Sequence, residues 1–419
     1  MSVSLISTLT HLKGNTRACV YTEPLWGLSM NLCMPYLSVY MLALGLNDSR
    51  IGFVVTVNIC SQILFSFLSG PITDKIGRRK AVAVFDVLGW CIPSLIWWHA
   101  ENFWFFLIAA IINGSNGVTA NAWNCLLVED AEKKQITRIF SLVSAFGQLS
   151  AVFAPITAIL ISRLTLVPAI RILFINAFIL MTLKIIILYL ASKETGIGQA
   201  RIIETKGKSI FTLAGGYGGV IKIILNSRGM VFSIIIAALG WIVLTINNTF
   251  WQIIVNKKLL VPAEALPFFN IFRSVLAIVF LFFVIPRLLK GILKIPLILT
   301  FVSYFIGQFL LIMIPVDGML KYPLILISLL FDGFGTGALF MLCESLIAIH
   351  VQPNERARIM AIRFMIMMLV SAPFGWIGGL LSEISRNLPF VLNLIILTAG
   401  LIITLIYYRR ENDHSAEHS

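Results

Sequence analysis

The chain is 419 residues long, 58% hydrophobic and only 12% charged, with a mean hydropathy of +0.93. Soluble domains carry about 25% charged residues, so a water-soluble fold with this much apolar surface to hide is excluded. The net charge of +13 would raise nucleic acid as a partner in a soluble protein; in a membrane chain the basic residues collect in inner loops and face anionic lipid, and no nucleic-acid partner is expected.

A bilayer core of about 30 Å needs roughly 20 apolar residues per helix, and twelve segments qualify. Lys13 and Arg17 precede the first without a small-residue cleavage site, so it reads as a retained span. Span 1 (18–45) carries Glu23, just before Pro24, and Asn31. Span 2 (51–70) runs into the charged turn "GPITDKIGRRKAV", residues 70–82. Span 3 (81–100) holds Asp86, and span 4 (105–129) holds Asn113, Asn116, Asn121 and Asn124, with Glu129 and Asp130 at its inner end. Span 5 (139–162) is followed by span 6 (168–192) with Arg171 and Lys184. Span 7 (230–256) brings Asn247, Asn248 and Gln252 beside Trp251; span 8 (266–289) brings Arg273. After span 9 (295–315), span 10 (323–349) carries Asp332 and Glu344, and spans 11 (364–382) and 12 (388–408) close the series. The expected organisation is a six-helix bundle over 1–192, a central loop over 193–229 and a second six-helix bundle over 230–419.

The central loop contains "SIFTLAGGYGGVIKIIL", expected as a linker with a short amphipathic helix on the membrane surface. Its glycines follow no strand and precede no Gly-Lys-Ser/Thr, so no nucleotide site is expected. The six cysteines form no C-x-x-C pair and lie in apolar segments, as packing residues. The five histidines sit in no recognisable motif. No cofactor, metal or enzyme activity is expected.

With the N-terminus inside, the inner segments hold 23 of the 32 basic residues and the outer loops 7, with Lys184 and Arg273 within spans. Both termini are then cytoplasmic. The halves are also related: Gly335 lies 218 residues after Gly117, and the same shift pairs Ala120 with Ala338, Cys125 with Cys343, Arg138 with Arg356, and Ala154-Pro155 with Ala372-Pro373. A parallel repeat of two six-helix units is an architecture of transporters.

The stretch from Gly70 to Lys80 resembles the signature loop of the major facilitator superfamily: Gly, three residues, Asp, a basic residue, any residue, Gly, then basic residues. Gly70, Asp74, Lys75, Gly77, Arg78, Arg79 and Lys80 fill every fixed position, between spans 2 and 3. The resemblance implies an all-α membrane fold of twelve helices in two bundles. It also implies a gating role for the turn: Gly70 for close approach of span 2 to span 11, Asp74 facing the N-terminal end of span 11, Gly77 for a sharp turn, and Arg78 reaching Glu129 or Asp130. The equivalent turn "IPRLLKGILK" in the second half lacks the acid.

Ionisable side chains within spans are costly and are functional candidates. Glu23 reads equally as a substrate or proton contact and as a helix-start acid. Asp86 lies about 9 Å into span 3 and Lys184 at similar depth; both read as a structural pair or as snorkelling. Asp332, about 14 Å into span 10, is the leading candidate for substrate or proton binding, against a structural ion pair with Arg273; Glu344 lies on the same helix, nearer the cytosol. Asn31, Asn113, Asn116, Asn124, Asn247, Asn248 and Trp251 are candidate cavity residues by hydrogen bonding and stacking, against interhelical hydrogen bonding. Proton-coupled exporters of the superfamily carry an Arg four residues before the span-4 Gly; here that position is Asn113. Their span-5 Gly-Pro-x-x-Gly is here Ala154-Pro155-Ile156-Thr157-Ala158. The resemblance implies a monomeric secondary transporter of the plasma membrane, working by alternating access on a small organic solute. Proton-coupled efflux and uptake of a polar metabolite such as a sugar both stay open. A membrane-embedded transferase or a non-transporting receptor is the alternative of another class. The topology is checked by placing a cysteine in 193–229 of an otherwise cysteine-free chain. It is expected to react with a membrane-impermeant thiol reagent only after the cells are opened; labelling of intact cells reverses the orientation.

Overall fold

The computed structural model describes residues 11–132, 135–213, 227–288, 293–318, 320–350 and 356–416, with Leu9 and Ile224 besides. Among these residues the regular structure is helical throughout, with no strand. Each apolar segment falls on a helix. The helices are α1 (Gly14–Cys33), α2 (Asp48–Ile76), α3 (Arg78–Asp86), α4 (Phe103–Asn113, resuming as Asn116–Val128), α5 (Ile136–Leu149) and α6 (Leu166–Ala191). They continue as α7 (Arg228–Ile253), α8 (Leu266–Val279), α9 (Lys294–Met313), α10 (Lys321–His350), α11 (Arg356–Ile384) and α12 (Leu388–Ala416). Among the described residues nine helical stretches are long and apolar enough to cross a membrane.

Several helices are broken. α1 passes through a 3-10 turn, Met34–Tyr36, into Leu37–Ala43, and α5 through Ser150–Phe153 into Ala154–Leu164. Pro35 and Pro155 stand at these breaks, where a missing N–H and a clashing ring interrupt the helical ladder. α3 continues through a π-turn, Val87–Cys91, to Ile92–Trp98, and α8 through Phe280–Val284 to Ile285–Leu288. The ends run a few residues past the apolar segments because the backbone stays helical until a breaker: α2 begins at Asp48, after Gly45 (φ +84°), and stops at Gly77 (φ +90°).

The chain divides into two compact units. The first comprises Met1–Leu46 and Val57–Gly215; the second comprises Asn47–Thr56 and Gly216–Ser419. α2 therefore begins in the second unit and belongs to the first from Val57 onward. Residues 193–213, which the sequence reading placed in the central loop, pack with the first unit. Their helix Gly196–Glu204 is described, and so is Ile210–Leu213; most of the glycine-rich run lies outside the described residues.

Glycines set the close helix contacts within each unit. In the first, a Cβ on Gly89 of α3 would lie 3.0 Å from the backbone N of Asn116, and one on Gly117 would lie 2.9 Å from the backbone N of Ser66 in α2. In the second, a Cβ on Gly307 of α9 would lie 2.7 Å from the backbone N of Asp332. Gly89 and Gly307 are themselves 218 residues apart and each joins the third helix of its half to the fourth, a repeat match the sequence reading missed.

Gly70 makes no close helix contact within the first unit among the described residues: a Cβ there would meet nothing within 4 Å. α2 makes such a contact at its other end, where Gly52 lies against Gly375 and Gly379 of α11. Small residues on both helices, one turn apart on α11, let the backbones touch there. At that end Asp48 accepts hydrogen bonds from Ser382 and Arg386, and Thr56 donates to the carbonyl of Ala372 at 2.7 Å. Gly70→Ala is expected to leave the melting temperature in detergent unchanged or slightly raised, since Ala favours a helix by roughly 0.5–1 kcal/mol. Gly307→Val should lower it, by the roughly 1–3 kcal/mol of an overpacked core. Thermal unfolding of the two purified variants side by side checks both.

Candidate functional site

Each unit holds a polar cluster among its membrane-spanning helices. In the first unit Lys184 Nζ meets Asp86 Oδ2 at 3.2 Å, with both side chains almost fully buried (4% and 0% exposed). The pair expected as structural is thus formed. It also lines a cavity of about 360 Å³ with Glu23, Trp26, Gln62, Trp90, Asn116, Thr119, Ala120, Trp123 and Asn124. Two of the expected cavity asparagines, Asn116 and Asn124, are here, and Asn116 accepts from Gln62 at 2.6 Å.

Asn113 departs from the expectation. It is buried, donates to the carbonyl of Gly89 at 2.6 Å and accepts from Asn58 at 3.0 Å, so it stitches α2, α3 and α4 together and does not line the cavity. The reason is register: at Gly89 the α3 backbone comes close enough to α4 for the amide to reach its carbonyl. Asn31 likewise spends its amide on the carbonyl of Gly147 at 2.9 Å, tying α1 to α5.

In the second unit Asp332 is buried in a network of amides. Its Oδ1 accepts from Asn247 Nδ2 at 3.1 Å and from Gln308 Nε2. Asn393 donates to Asn247 at 3.2 Å and to Gln308 at 2.8 Å, and Tyr304 accepts from Asn247 at 3.2 Å. Arg273 stands 4.0 Å from Asp332 Oδ2 and lies over the Trp251 ring, 4.1 Å from its centroid. Asp332 is therefore hydrogen-bonded by neutral amides, while Arg273 faces it at the limit of ion-pair distance and leans on an aromatic face. Asn248 is exposed on the same helix. Glu344 falls on α10, and its side chain lies outside the described residues.

The charged turn is a third cluster, inside the first unit. Gly77 has φ +90°, a conformation that favours glycine. Arg78 Nη1 pairs with Asp74 at 2.9 Å and its Nε with Glu129 at 3.1 Å. Of the two acids expected to meet Arg78, Glu129 does so; Asp130 instead accepts from Asn15 at 2.8 Å. Sequence reasoning missed the third acid. Glu194, just past α6, accepts from the backbone N–H groups of Arg78 at 2.9 Å and Arg79 at 3.1 Å, so it caps α3 from outside. A Cβ at Gly77 would strike that carboxylate at 2.5 Å. Next to it Thr195 donates to Glu129 and caps its own helix at Gly198, 2.9 Å.

The family's sequence pattern, described as "Major Facilitator Superfamily", matches residues 25–321, more than half of the chain. The chain belongs to the Major Facilitator Superfamily. Membership fits the nine helical stretches that are long and apolar enough to cross a membrane among the described residues, and makes the chain a multi-pass membrane protein. An MFS-type transporter of Bacillus subtilis, YqjV, is 29% identical over 131 residues, 31% of this chain and 32% of that protein. The quinolone resistance protein NorA of Staphylococcus aureus is 25% identical over 129 residues, 30% of this chain and 33% of NorA. The matches thus span about a third of the length of these relatives. Solved structures with the same fold include the nucleoside transporter NupG (TM-score 0.73, 15% identity, 95% of this chain and 99% of that one). The xylose transporter XylE of E. coli is another (TM-score 0.67, 16% identity, 94% and 97%). At these identities they establish the fold alone.

The Asp332 network gives a direct test. Asn can keep its Oδ1 in place for both amide donors, so Asp332→Asn is expected to fold with a small loss of stability. Asp332→Leu strands the donors of Asn247 and Gln308, at about 1–3 kcal/mol for each buried unsatisfied group. A much lower melting temperature for Leu than for Asn is the expected order. Equal and severe losses would instead make the Arg273 ion pair the main support.

Proposed function

We propose that the chain is a monomeric secondary transporter of the plasma membrane, exporting an amphipathic organic solute by alternating access with proton coupling. Its two bundles, 1–192 and 230–419, would rock about a central site with both termini cytoplasmic. The observation that carries the reading is that each unit keeps an ionisable cluster among its membrane helices, Glu23 with Asp86 and Lys184 in one, Asp332 with Arg273 in the other. Such groups are expensive in hydrocarbon and are found where solutes or ions pass. The three tryptophans lining the first cavity favour an amphipathic solute, and a resistance protein among the relatives supports export. In this reading Gly70, Asp74, Gly77, Arg78, Glu129 and Asp130 form the gate and the central loop 193–229 links the bundles. Uptake of a polar metabolite is the second reading, favoured by Gln62, Asn116 and Asn124 on the same cavity.

Protons would couple through Asp332. Proteoliposomes with an imposed pH gradient test this against a panel of labelled aromatic amines, neutral aromatics and sugars. The wild type is expected to accumulate at least one of them. Asp332→Asn should lose the pH-driven component while keeping part of the solute exchange, because exchange moves no net proton. Unchanged pH-driven uptake in that variant removes Asp332 from coupling, and absence of exchange of every solute by folded wild type overturns the transporter reading.

A further inference from the structure

The cavity of the first unit carries more chemistry than a generic solute site requires. Three ionisable side chains line it: Glu23, Asp86 and Lys184. The last two satisfy each other at 3.2 Å. Glu23 is 7% exposed, and among the described residues its carboxylate has neither a hydrogen bond nor an ion pair. A buried carboxylate without a partner is costly, and this one opens onto space. Of the three, Glu23 is therefore the group left without a hydrogen-bonded or ion-paired partner among the described residues.

The walls are aromatic. Trp26 lies on α1, one turn from Glu23, and its ring stands edge-to-face with Trp90 of α3, with centroids 6.1 Å apart and planes at 78°. Trp123 completes this side, and its buried indole N–H has no partner among the described residues. Tryptophan faces attract cations, and more strongly where water is excluded. The cavity amides are each engaged through one atom: Gln62 donates to Asn116 at 2.6 Å, and Asn124 donates to the carbonyl of Ala120 in its own helix at 2.8 Å. An anion would meet an unpaired carboxylate while the only lysine is engaged. The volume, about 360 Å³, suits a molecule of a few rings.

We infer that this cavity binds a monovalent organic cation bearing an aromatic ring, with Glu23 as the counter-charge and Trp26, Trp90 and Trp123 as the walls. This rests on the transporter reading and names the class of solute. The cation pairs with Glu23, its ring packs on the indoles, and the Asp86–Lys184 pair is left intact.

The test uses one frame in three charge states on the purified full chain in detergent, by isothermal titration calorimetry: (2-naphthylmethyl)trimethylammonium, 2-naphthylmethanol and 2-naphthylmethanesulfonate. The quaternary ammonium cannot lose its charge, so its binding reads the protein's carboxylate alone. Wild type is expected to bind the cation at least about 10-fold more tightly than the neutral compound, with the anion weakest. Glu23→Gln should remove that preference while leaving the neutral compound's affinity unchanged, and Glu23→Asp should keep most of it. Trp26→Leu should weaken both the cation and the neutral compound. Equal binding of the three compounds by wild type overturns the inference, and this comparison needs no variant to fold. A cation preference that survives in folded Glu23→Gln also overturns it, because the site then lies elsewhere. A protein that exchanges neutral solutes in vesicles but shows no cation preference loses this inference and keeps the transporter reading.

Discussion

A charge placed among membrane helices must find its compensation inside the protein, and the polar architecture of this chain follows from that constraint. Water and lipid headgroups are out of reach at mid-helix, so the cost of each ion is met by a neighbouring helix. Lys184 on α6 and Asp86 on α3 meet at 3.2 Å. Asp332 on α10 is held mainly by the amides of Asn247 and Gln308. Arg78 at the head of α3 is clasped between Asp74 and Glu129. Each arrangement fixes two or three helices in register, because a shift of one residue would rotate a partner away by roughly 100° at 3.6 residues per turn. The pairs thus act on structure as well as on charge. Against that background Glu23 stands out among the described residues as a buried carboxylate with neither a hydrogen bond nor an ion pair.

The pairs can meet only because the backbones come close, and glycine decides where. Gly89 brings α3 onto α4 beside the first cluster, and Gly307 brings α9 onto α10 beside the second. One turn before each glycine stands a polar side chain of that cluster, Asp86 in one half and Tyr304 in the other. The two halves therefore share a scaffold position and a polar position while differing in chemistry. One carries an acid–lysine pair facing tryptophans; the other carries an acid among amides.

Much of this was legible in the sequence. The helices could be read because crossing hydrocarbon demands a long run of apolar residues; the breaks at Pro35 and Pro155 were passed over. The charged turn could be read through its resemblance to the signature loop, including the meeting of Arg78 with one of the two acids at the end of α4. What could not be read was direction around the helix axis. Asn113 and Asn116 are three residues apart on α4, yet one is consumed by the Gly89 carbonyl and the other lines a cavity. Gln62, Gln308 and Asn393 were visible as amides in apolar runs, but a focus on the helices expected to line a cavity passed over them. Glu194 was hidden for another reason: its partners lie 116 and 115 residues away, and no local pattern announces a cap supplied from another part of the chain.

That cap bears on how a duplicated half comes to differ from its copy. A doubled six-helix unit inherits two versions of the turn between its second and third helices, but a single connecting segment follows the first copy's last helix. Here that segment delivers Glu194 and Thr195 onto the first turn, whereas α12 carries straight on as helix to Ala416. The corresponding stretch of the second half reads "IPRLLKGILK". Its acid is gone and its glycine stands among lysines. Connectivity thus gives the first copy of the motif a partner, Glu194, that its own sequence does not contain.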